Sequence, residues 1–367
     1  MEIKETKHWT VDEIGEAAQK LKKGGLVAFP TETVYGLGAN AMNSDAVSGV
    51  FDVKGRPHDN PLIVHVNSFE QVKDYVVALH PYAQKLADTY WPGPLTLICQ
   101  TKTDLFAKEV SAGLPSVSFR MPDNEATLML LKKAGVPAVG PSANTSGKPS
   151  PTTYEHVYHD LQGKIDGILD DGATKIGVES TVIDVSDPEQ NPMILRPGAI
   201  TKEQIQQDLG IEVSYDKHLL ETSETPKSPG MKYKHYSPDT KVLMVKKQDW
   251  PAAVHWVKEN NLCAGVLAGP RICDEVRANT AATFSYSDDS MLAATRGLYA
   301  GMRALDEGQL SLDVILVAVL PEEGLGLAYM NRLKKLLLKS ILKVKRFLNF
   351  PVIQYCKKVK GVFLIWL

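Results

Sequence analysis

The feature that most constrains the fold is one segment near the N-terminus, residues 29–65. A short apolar run, residues 26–29, leads into a polar turn that contains hydroxyl groups, a carboxylate and glycines. Lys54-Gly55-Arg56 follows a stretch of helical periodicity, and a second apolar run occupies residues 61–66. An α/β fold uses this order of strand, polar loop, helix, basic loop and strand to bring small-molecule-binding groups to one edge of its sheet. The segment therefore predicts an α/β fold with a site for a polyanion.

Composition narrows the class of protein. A chain of 367 residues is long for one hydrophobic core, which favours two domains. The formal net charge of −2 argues against nucleic-acid binding over the whole surface and leaves a local basic cleft open. Scattered cysteines fit a reducing cytosol and predict no metal site. Because the sequence shows no signal-peptide core and no apolar run of membrane-spanning length, we expect a cytoplasmic protein without a membrane partner.

Hydrophobic periodicity and capping residues predict a mixture of strands and helices. Strands are predicted over residues 26–29, 61–66, 95–100, 115–120, 137–140, 167–171, 180–185, 193–196, 242–245, 262–268 and 314–320. Helices are predicted over residues 10–23, 44–53, 123–133, 250–259 and 290–305, with Ser44 as the cap of the second. Further helices are predicted directly after the caps Ser68 and Thr201. Residues 141–152 are too polar and too rich in chain-breaking residues for an element. Strands and helices do not alternate strictly along the chain, so we expect a mixed sheet and not a purely parallel one.

The same patterns divide the chain into four parts. Residues 1–213 form the first α/β domain, residues 214–239 a polar linker, and residues 240–332 a smaller α/β domain with parallel-type connections. Residues 333–367 are rich in Lys and lack Asp and Glu. Two interpretations of this basic tail compete: an amphipathic helix that contacts a partner or a membrane, and a segment outside the evolved fold. We favour the second.

Several cations and polar groups stand at predicted strand ends. Lys54 and Arg56 are two residues apart in a loop, so both can turn toward one anion, Arg with a planar fork and Lys as a point charge. Ser142 and Asn144 offer a hydroxyl and an amide for phosphate or ribose oxygens. Taken singly, each pair more often marks a solvated turn than an anion-binding site. A histidine placed like His65 is, alone, more often a core residue than a ligand contact. Similar placement is shared by Arg120, Glu179, Ser180, Thr181 and Arg196. Together these groups suggest a cleft for a nucleotide and a small acid.

Six motifs make the sequence more specific than this general pattern. They are Phe29-Pro30-Thr31-Glu32-Thr33-Val34-Tyr35-Gly36-Leu37-Gly38, Lys54-Gly55-Arg56-Pro57 with Asn60-Pro61-Leu62, Trp91-Pro92-Gly93-Pro94, Arg120-Met121-Pro122, Pro141-Ser142-Ala143-Asn144 and Glu179-Ser180-Thr181. In order and spacing they closely resemble the threonylcarbamoyl-AMP synthase family, whose catalytic domain is called YrdC-like. The resemblance covers about residues 10–210, and residues 228–236 with the second domain resemble the two-domain branch of the family. After Leu333 the sequence departs from the short ending usual in that branch.

The resemblance implies a YrdC-like mixed twisted sheet with helices around a concave cleft, followed by a smaller Rossmann-like α/β domain. It implies a nucleotidyltransferase that makes threonylcarbamoyl-adenylate and pyrophosphate from L-threonine, bicarbonate and ATP. A separate transferase would move the threonylcarbamoyl group to the tRNA adenosine 3′ of the anticodon, so that transferase and tRNA are candidate partners. Mg²⁺ is expected to bridge phosphate oxygens of ATP with few protein ligands.

The same resemblance assigns residues to the two substrates. Lys54 and Arg56 fall on the Lys-x-Arg pair of the family and are expected to be catalytic, because cations offset the repulsion between anionic reactants. Contacts to ATP are expected from Arg56, Asn60, Ser116, Ser142, Asn144, Ser150 and Arg196, with His235 and Tyr236 of the linker near the nucleotide. Contacts to L-threonine are expected from Thr33, His65, Arg120, Gly140 and Ser180. The linker is expected to close over the labile carbamate as a lid.

Two alternatives from other functional classes remain open. The first is an RNA-binding module that uses a basic concave cleft without chemistry. The second is a carbamoyltransferase of the carbamoyl-phosphate type, since related domains occur in hydrogenase maturation proteins. The sequence shows no acylphosphatase-like segment and no Cys-rich zinc motif, which counts against the second alternative.

Overall fold

Two β-sheets organise the protein, whose computed structural model describes residues 4–216 and 238–344. The strands of the larger sheet are Lys7–Trp9 (β1), Val27–Phe29 (β2), Gly36–Asn40 (β3), Ile63–His65 (β4), Leu95–Gln100 (β5), Ser116–Arg120 (β6), Ala138–Val139 (β7), Gly167–Leu169 (β8), Thr181–Asp184 (β9), Met193–Arg196 (β10) and Ser214–Tyr215 (β11). Their order across the sheet is β1-β8-β2-β3-β7-β4-β6-β5-β9-β10-β11. Strand β5 is antiparallel to β6 and parallel to β9. The predicted mixed sheet is therefore confirmed.

Helices connect these strands, and side-chain caps determine where several of them begin. The helices of the first domain are Ile14–Lys22 (α1), Ser44–Lys54 (α2), Phe69–Tyr75 (α3), Ala83–Tyr90 (α4), Lys108–Ser111 (α5), Glu125–Ala134 (α6), Tyr154–Leu161 (α7) and Lys202–Leu209 (α8). Thr201 and Gln204 form the predicted capping box before α8. At α2 the cap is Asn43, whose side chain accepts a hydrogen bond from the Ala46 N–H, so the prediction that Ser44 caps this helix is wrong.

The stretch after β2 differs most from the predicted layout. Instead of a loop that leads to a helix, the chain turns back as β3, antiparallel to β2, and β3 and β7 separate β2 from β4. A Cβ on Gly38 would lie 2.6 Å from the Val27 carbonyl oxygen, so this close pairing requires glycine. Two glycines in a five-residue strand hide the apolar alternation that usually predicts one. Periodicity also failed to predict β1, β11, α4, α5 and α7.

The second domain has a smaller, parallel sheet. Its strands are Lys241–Val245 (β12), Ala264–Ala268 (β13), Ala282–Ser285 (β14) and Val314–Ala318 (β15), and its helices are Trp250–Glu259 (α9), Pro270–Val276 (α10), Met291–Asp306 (α11) and Leu325–Val344 (α12). The strand order is β12-β15-β13-β14 with parallel pairing throughout, which confirms the predicted small α/β module. Within the described ranges, no helix combines the length and the apolar character that a bilayer span needs.

Two elements cross the predicted limits of the linker and the tail. Strand β11 lies inside the predicted linker range and pairs with β10 at the edge of the large sheet. Helix α12 continues past residue 332 and buries Leu333 and Leu336 in the core of the second domain. Residues 217–237 of the predicted linker and residues 345–367 of the predicted tail lie outside the described residues.

The two domains are joined by a shared hydrophobic core. Val34 and Val178 of the first domain belong to the same buried cluster as Leu298 of α11. Next to Val178, the backbone N–H of Gly177 donates a hydrogen bond to the Thr33 carbonyl at 3.0 Å. The second domain therefore packs directly behind the turn that follows β2.

We expect Gly177→Ala to weaken this docking. Gly177 has a φ of +83°, and an added Cβ would lie 2.6 Å from Arg296 Cα, an atom of the α11 backbone that cannot move aside alone. Overpacking and strain of this kind typically destabilise by about 1–3 kcal/mol. Thermal unfolding would measure the loss. As a matched control, Gly15→Ala adds a Cβ that meets nothing within 4 Å in α1 and should be neutral or stabilising. Equal unfolding temperatures for Gly177→Ala and wild type would contradict the expectation.

Candidate active site

Arg120 connects the end of β6 to the turn between β2 and β3. Its guanidinium donates hydrogen bonds to the Glu32 carboxylate at 2.6 Å and to the Thr33 hydroxyl at 2.9 Å. The Arg120 and Glu32 side chains are only 5% and 2% exposed. Removing either partner would leave an uncompensated buried charge, so the pair holds the turn in one geometry. Two of the predicted threonine contacts, Thr33 and Arg120, are thus brought together.

His65 lies between Arg120 and Gly140. The strand register pairs His65 with Arg120, and its ring packs edge-to-face against Phe29 with the centroids 5.3 Å apart. A Cβ on Gly140 would lie 2.7 Å from the imidazole, so glycine makes room for the ring. Burial and the Arg120 charge lower the pKa of His65 to about 3, and the imidazole is therefore neutral at physiological pH. Such a ring can donate one hydrogen bond and accept another.

Ser180 and Arg196 meet where β9 begins and β10 ends. Arg196 donates hydrogen bonds to the Ser180 hydroxyl and to the Ser180 carbonyl, both at 2.9 Å. The Ser180 hydroxyl also lies 2.8 Å from the Thr96 hydroxyl on β5. All three side chains are buried. Because Ser180 is a predicted threonine contact and Arg196 a predicted ATP contact, their pairing places the two predicted subsites side by side.

Lys54 is buried at the C-terminal end of α2. Gly55 ends this helix in the left-handed conformation, with a φ of +61°. The Lys54 ammonium donates hydrogen bonds to the carbonyl oxygens of Ser142 and Asn144, the second at 2.6 Å. Burial and the Arg56 charge lower the pKa of Lys54 well below its usual value, and a polyanion nearby would oppose that shift. Lys54 therefore anchors the loop at residues 141–152 and lies beside the second predicted cation.

Buried polar atoms without partners gather in this region. Among the described residues, no hydrogen bond reaches either side-chain polar atom of Asn60, the Oδ1 of Asn144, the Nδ1 of His65 or the Oε1 of Glu32. The Asn60 carbonyl accepts a hydrogen bond from Arg56 at 3.3 Å, so the backbone there is satisfied while the side chain is not. An unpaired buried polar group costs about 1–3 kcal/mol. Five of these atoms belong to predicted site residues or to the Arg120 partner Glu32, where a polar ligand would satisfy them, and others lie elsewhere, on Trp9, Glu109, Thr174, Trp250 and Arg303.

Backbone hydrogen bonds join the two halves of this cleft. The Leu37 N–H donates to the Pro141 carbonyl at 2.7 Å, and the Ala143 N–H donates to the Tyr35 carbonyl at 2.8 Å. The loop that carries Ser142 is therefore paired with the segment that follows Thr33. A shift of either segment would move residues on both predicted subsites.

Four of the predicted contacts need separate comment. Ser116 begins β6 and pairs with Gln100, at the opposite end of the strand from Arg120 and about 13 Å away along extended chain. The Ser150 hydroxyl donates to the Glu179 carboxylate at 2.6 Å, so its proton is already used inside the protein. His235 and Tyr236 lie outside the described residues. The individual roles of all the predicted contacts stay predictions.

Sequence reasoning assigned no individual role to three residues of the framework: Glu32, Thr96 and Glu179. A signal for Glu32 existed, because a carboxylate inside a turn next to a predicted anion site needs a cationic partner. Thr96 offered no signal, since threonine is common in strands for reasons of packing alone. Glu179 was noted only as part of a polar strand end. Two of its partners, Tyr299 and Arg332, come from the second domain, which no local pattern reveals.

We expect His65→Gln to make the fold less sensitive to acid. Unfolded His65 takes up a proton near its ordinary pKa of 6.5, whereas in the folded protein its pKa is about 3. The wild type therefore loses stability as the pH falls through this window, by about 2 kcal/mol at pH 5 from this group. Urea denaturation at pH 7.5 and pH 5 would measure the difference for each protein. A His65→Gln difference as large as that of the wild type would contradict a buried neutral ring.

Among the described residues, one group of side chains has potential metal-ligand atoms close together, formed by His159, Asp160 and Glu307. Asp160 is already paired with Arg303 at 3.0 Å. The polar side chains beside Arg56 include the amide of Asn60, and Lys54 adds an ammonium. This donor set suits phosphate oxygens and not the direct binding of a cation.

Comparison with known proteins gives two profile matches that together span most of the chain. Residues 19–198 match a family profile described as "Telomere recombination" (Sua5_yciO_yrdC), and residues 200–335 match one described as "Threonylcarbamoyl-AMP synthase, C-terminal domain". A curated protein from Bacillus subtilis (strain 168), named threonylcarbamoyl-AMP synthase, is 43% identical over 343 residues, which are 90% of this chain and 97% of the relative. A protein of the same name from Pyrococcus abyssi is 42% identical over 335 residues, with 89% and 95% of the two chains covered.

The fold is also similar to a solved structure across both domains. A crystal structure described as P. abyssi Sua5 complexed with L-threonine superposes with a TM-score of 0.84 at 38% sequence identity. The match covers 91% of this chain and 98% of that chain. The similarity therefore includes the smaller domain as well as the cleft.

Proposed function

This chain belongs to the threonylcarbamoyl-AMP synthase family, and from that membership we propose that it joins L-threonine, bicarbonate and ATP into threonylcarbamoyl-AMP. The reaction transfers an AMP group, so the enzyme is a nucleotidyltransferase. The observation that carries the proposal for this cleft is its set of buried, unpaired polar atoms on Glu32, Asn60, His65 and Asn144. They surround the cationic residues that anionic substrates require.

On the threonine side, Arg120 and Ser180 bind the carboxylate, because a guanidinium and a hydroxyl suit a planar anion. Thr33 and His65 contact the hydroxyl and amine of the substrate, with Gly140 leaving space beside the imidazole. A neutral His65 does not repel an ammonium group and does not compete with Arg120 for the carboxylate. The free Nδ1 of His65 then gains a partner.

On the nucleotide side, Lys54 and Arg56 offset phosphate charge while Asn60, Ser142 and Asn144 orient the triphosphate. Arg196 stands next to Ser180 at 2.9 Å, so it is suited to the α-phosphate, the one nearest threonine. For Ser116, Ser150, His235 and Tyr236, contact with ATP stays a prediction from the sequence. Mg²⁺ would be held mainly through the ATP phosphates, with few protein ligands, and would neutralise part of their charge.

The chemistry needs positioning more than it needs a protein nucleophile. The neutral amine of threonine attacks carbon dioxide formed from bicarbonate, forming an N–C bond and releasing a proton. An oxygen of the resulting carbamate attacks the α-phosphorus, and the bond to the β-phosphate breaks, so pyrophosphate leaves. Both partners of the second step are anions, and cations that hold them in line contribute most of the acceleration.

The product is a reactive mixed anhydride, and a separate threonylcarbamoyl transferase that acts on tRNA must therefore consume it. That transferase and tRNA are the proposed partners, and the cytoplasm is the proposed compartment because tRNA is modified there.

Mass spectrometry tests the function directly. The protein is mixed with ATP, L-threonine and ¹³C-bicarbonate, and each component is omitted in turn. We expect labelled threonylcarbamoyl-AMP, and pyrophosphate in equal amount, only when all three are present. ATP turnover that ignores threonine and bicarbonate would overturn the proposal. Salt-sensitive RNA binding without any turnover would instead support the RNA-binding alternative.

A further inference from the structure

The last helix of the second domain sends one arginine into the first domain, behind the cleft. Arg332 of α12 is fully buried. Its Nη1 donates to the Pro197 carbonyl at 2.9 Å, and its Nη2 donates to the Glu179 carbonyl at 3.2 Å. Its Nε donates to the Glu179 carboxylate at 2.8 Å. One planar guanidinium thus ties together two backbone segments and one carboxylate.

The segments that Arg332 holds are the ones that carry substrate contacts. Glu179 directly precedes Ser180, and Pro197 directly follows Arg196. The two segments are tightly packed, since a Cβ on Gly198 would lie 2.2 Å from the Thr181 backbone nitrogen. Moving either carbonyl away from Arg332 would therefore shift the Ser180–Arg196 pair.

Glu179 extends the same connection to other parts of the cleft. Its carboxylate accepts hydrogen bonds from Ser150 at 2.6 Å and from Tyr299 of α11 at 3.1 Å. Burial by itself would raise the pKa of Glu179, but the charges of Arg332 and Arg196 outweigh it and lower the pKa to about 2. Glu179 is therefore ionised at physiological pH, and two helices of the second domain bind it.

We propose that Arg332 is a positioning residue for the reaction, through which the second domain fixes the backbone that presents Ser180 and Arg196 to the substrates. The inference rests on the proposed function, since it takes those two residues as substrate contacts. It also gives the second domain a role in catalysis without any contact to substrate.

Arginine is specifically suited to this task. A lysine could satisfy one acceptor as a point charge, but it cannot present donors in a plane to two carbonyls and a carboxylate at once. Stability alone is a weaker explanation for keeping the pair, because apolar replacements of buried ion pairs are often neutral or stabilising. A misplacement of about 1 Å at reacting groups can lower a rate by about 100-fold.

The test compares three full-length variants with wild type. Arg332→Lys keeps the charge, Glu179→Gln with Arg332→Met removes both charges of the pair, and Tyr329→Phe is the control. Tyr329 lies on the same helix, and its hydrogen bonds to described residues stay within the second domain, to Tyr286 at 2.9 Å and to the Ala318 carbonyl at 3.0 Å. Thermal unfolding verifies folding, calorimetry measures L-threonine affinity, and pyrophosphate release gives kcat and KM.

We expect Arg332→Lys and the double variant to bind L-threonine about tenfold more weakly and to lose about 10- to 100-fold in kcat/KM while folded. Tyr329→Phe should keep the wild-type values even if its unfolding temperature falls. A double variant that unfolds at the wild-type temperature but binds L-threonine more weakly would support positioning. Wild-type affinity and kcat/KM in either folded variant would overturn it. A wild type that binds L-threonine but makes no product would contradict the proposed function instead, and the affinities would still decide the role of Arg332.

Discussion

Replacing Lys54 or Arg56 by alanine is expected to lower threonine- and bicarbonate-dependent pyrophosphate release by about 100-fold or more, the loss typical for removing one electrostatic contact to a transition state. Two anions must approach each other in the second step, and each cation removed restores part of their repulsion. Lys54→Ala has a second effect, because the Lys54 ammonium also holds the carbonyl oxygens of Ser142 and Asn144. We therefore expect Lys54→Ala to be the more damaging variant.

Steady-state kinetics with ATP and threonine varied separately would measure both effects. Lys85→Ala is a suitable control, because this lysine is exposed on α4. Loss of kcat with little change in the KM for threonine would match a role on the phosphates. Wild-type turnover in both Lys54→Ala and Arg56→Ala would reject the assignment of these two residues.

Replacing Arg120 by methionine is expected to abolish measurable threonine binding, a loss of at least about 100-fold in affinity, because the variant lacks the main cation proposed to bind the substrate carboxylate. The same change leaves Glu32, which is 2% exposed, with an uncompensated charge. Breaking a buried pair in this way typically costs about 3–5 kcal/mol of stability. A single substitution therefore mixes a binding effect with a folding effect.

A double variant separates the two effects. Glu32→Gln combined with Arg120→Met removes both charges, so stability should largely return while threonine binding should not. Calorimetry with L-threonine and thermal unfolding would measure the two properties independently. If the double variant bound threonine as the wild type does, Arg120 would be a structural residue and not a substrate contact.

Local patterns predicted where strands and helices lie along the chain better than they predicted which strands lie next to each other in the sheet. The apolar runs at residues 95–100 and 193–196 correspond to β5 and β10, and the Thr201 capping box begins α8 as predicted. These signals depend on residues within one helical turn or one strand, so they can be read from the sequence alone. β3 was missed because its glycines serve close pairing with β2, a requirement that exists only once the two strands are adjacent.

By itself the sequence determined the class of fold, the division into two α/β domains and the motifs that place the chain in its family. Apolar periodicity and the order of the six motifs are local properties of the chain, and folding does not change them. Only the tertiary structure decided the partners: Arg120 with Glu32, Lys54 with the loop at residues 141–152, and Arg332 with the segments beside Ser180 and Arg196. The physical reason is that strand order and register bring together groups that are distant in the chain, and neither property follows from periodicity within one segment.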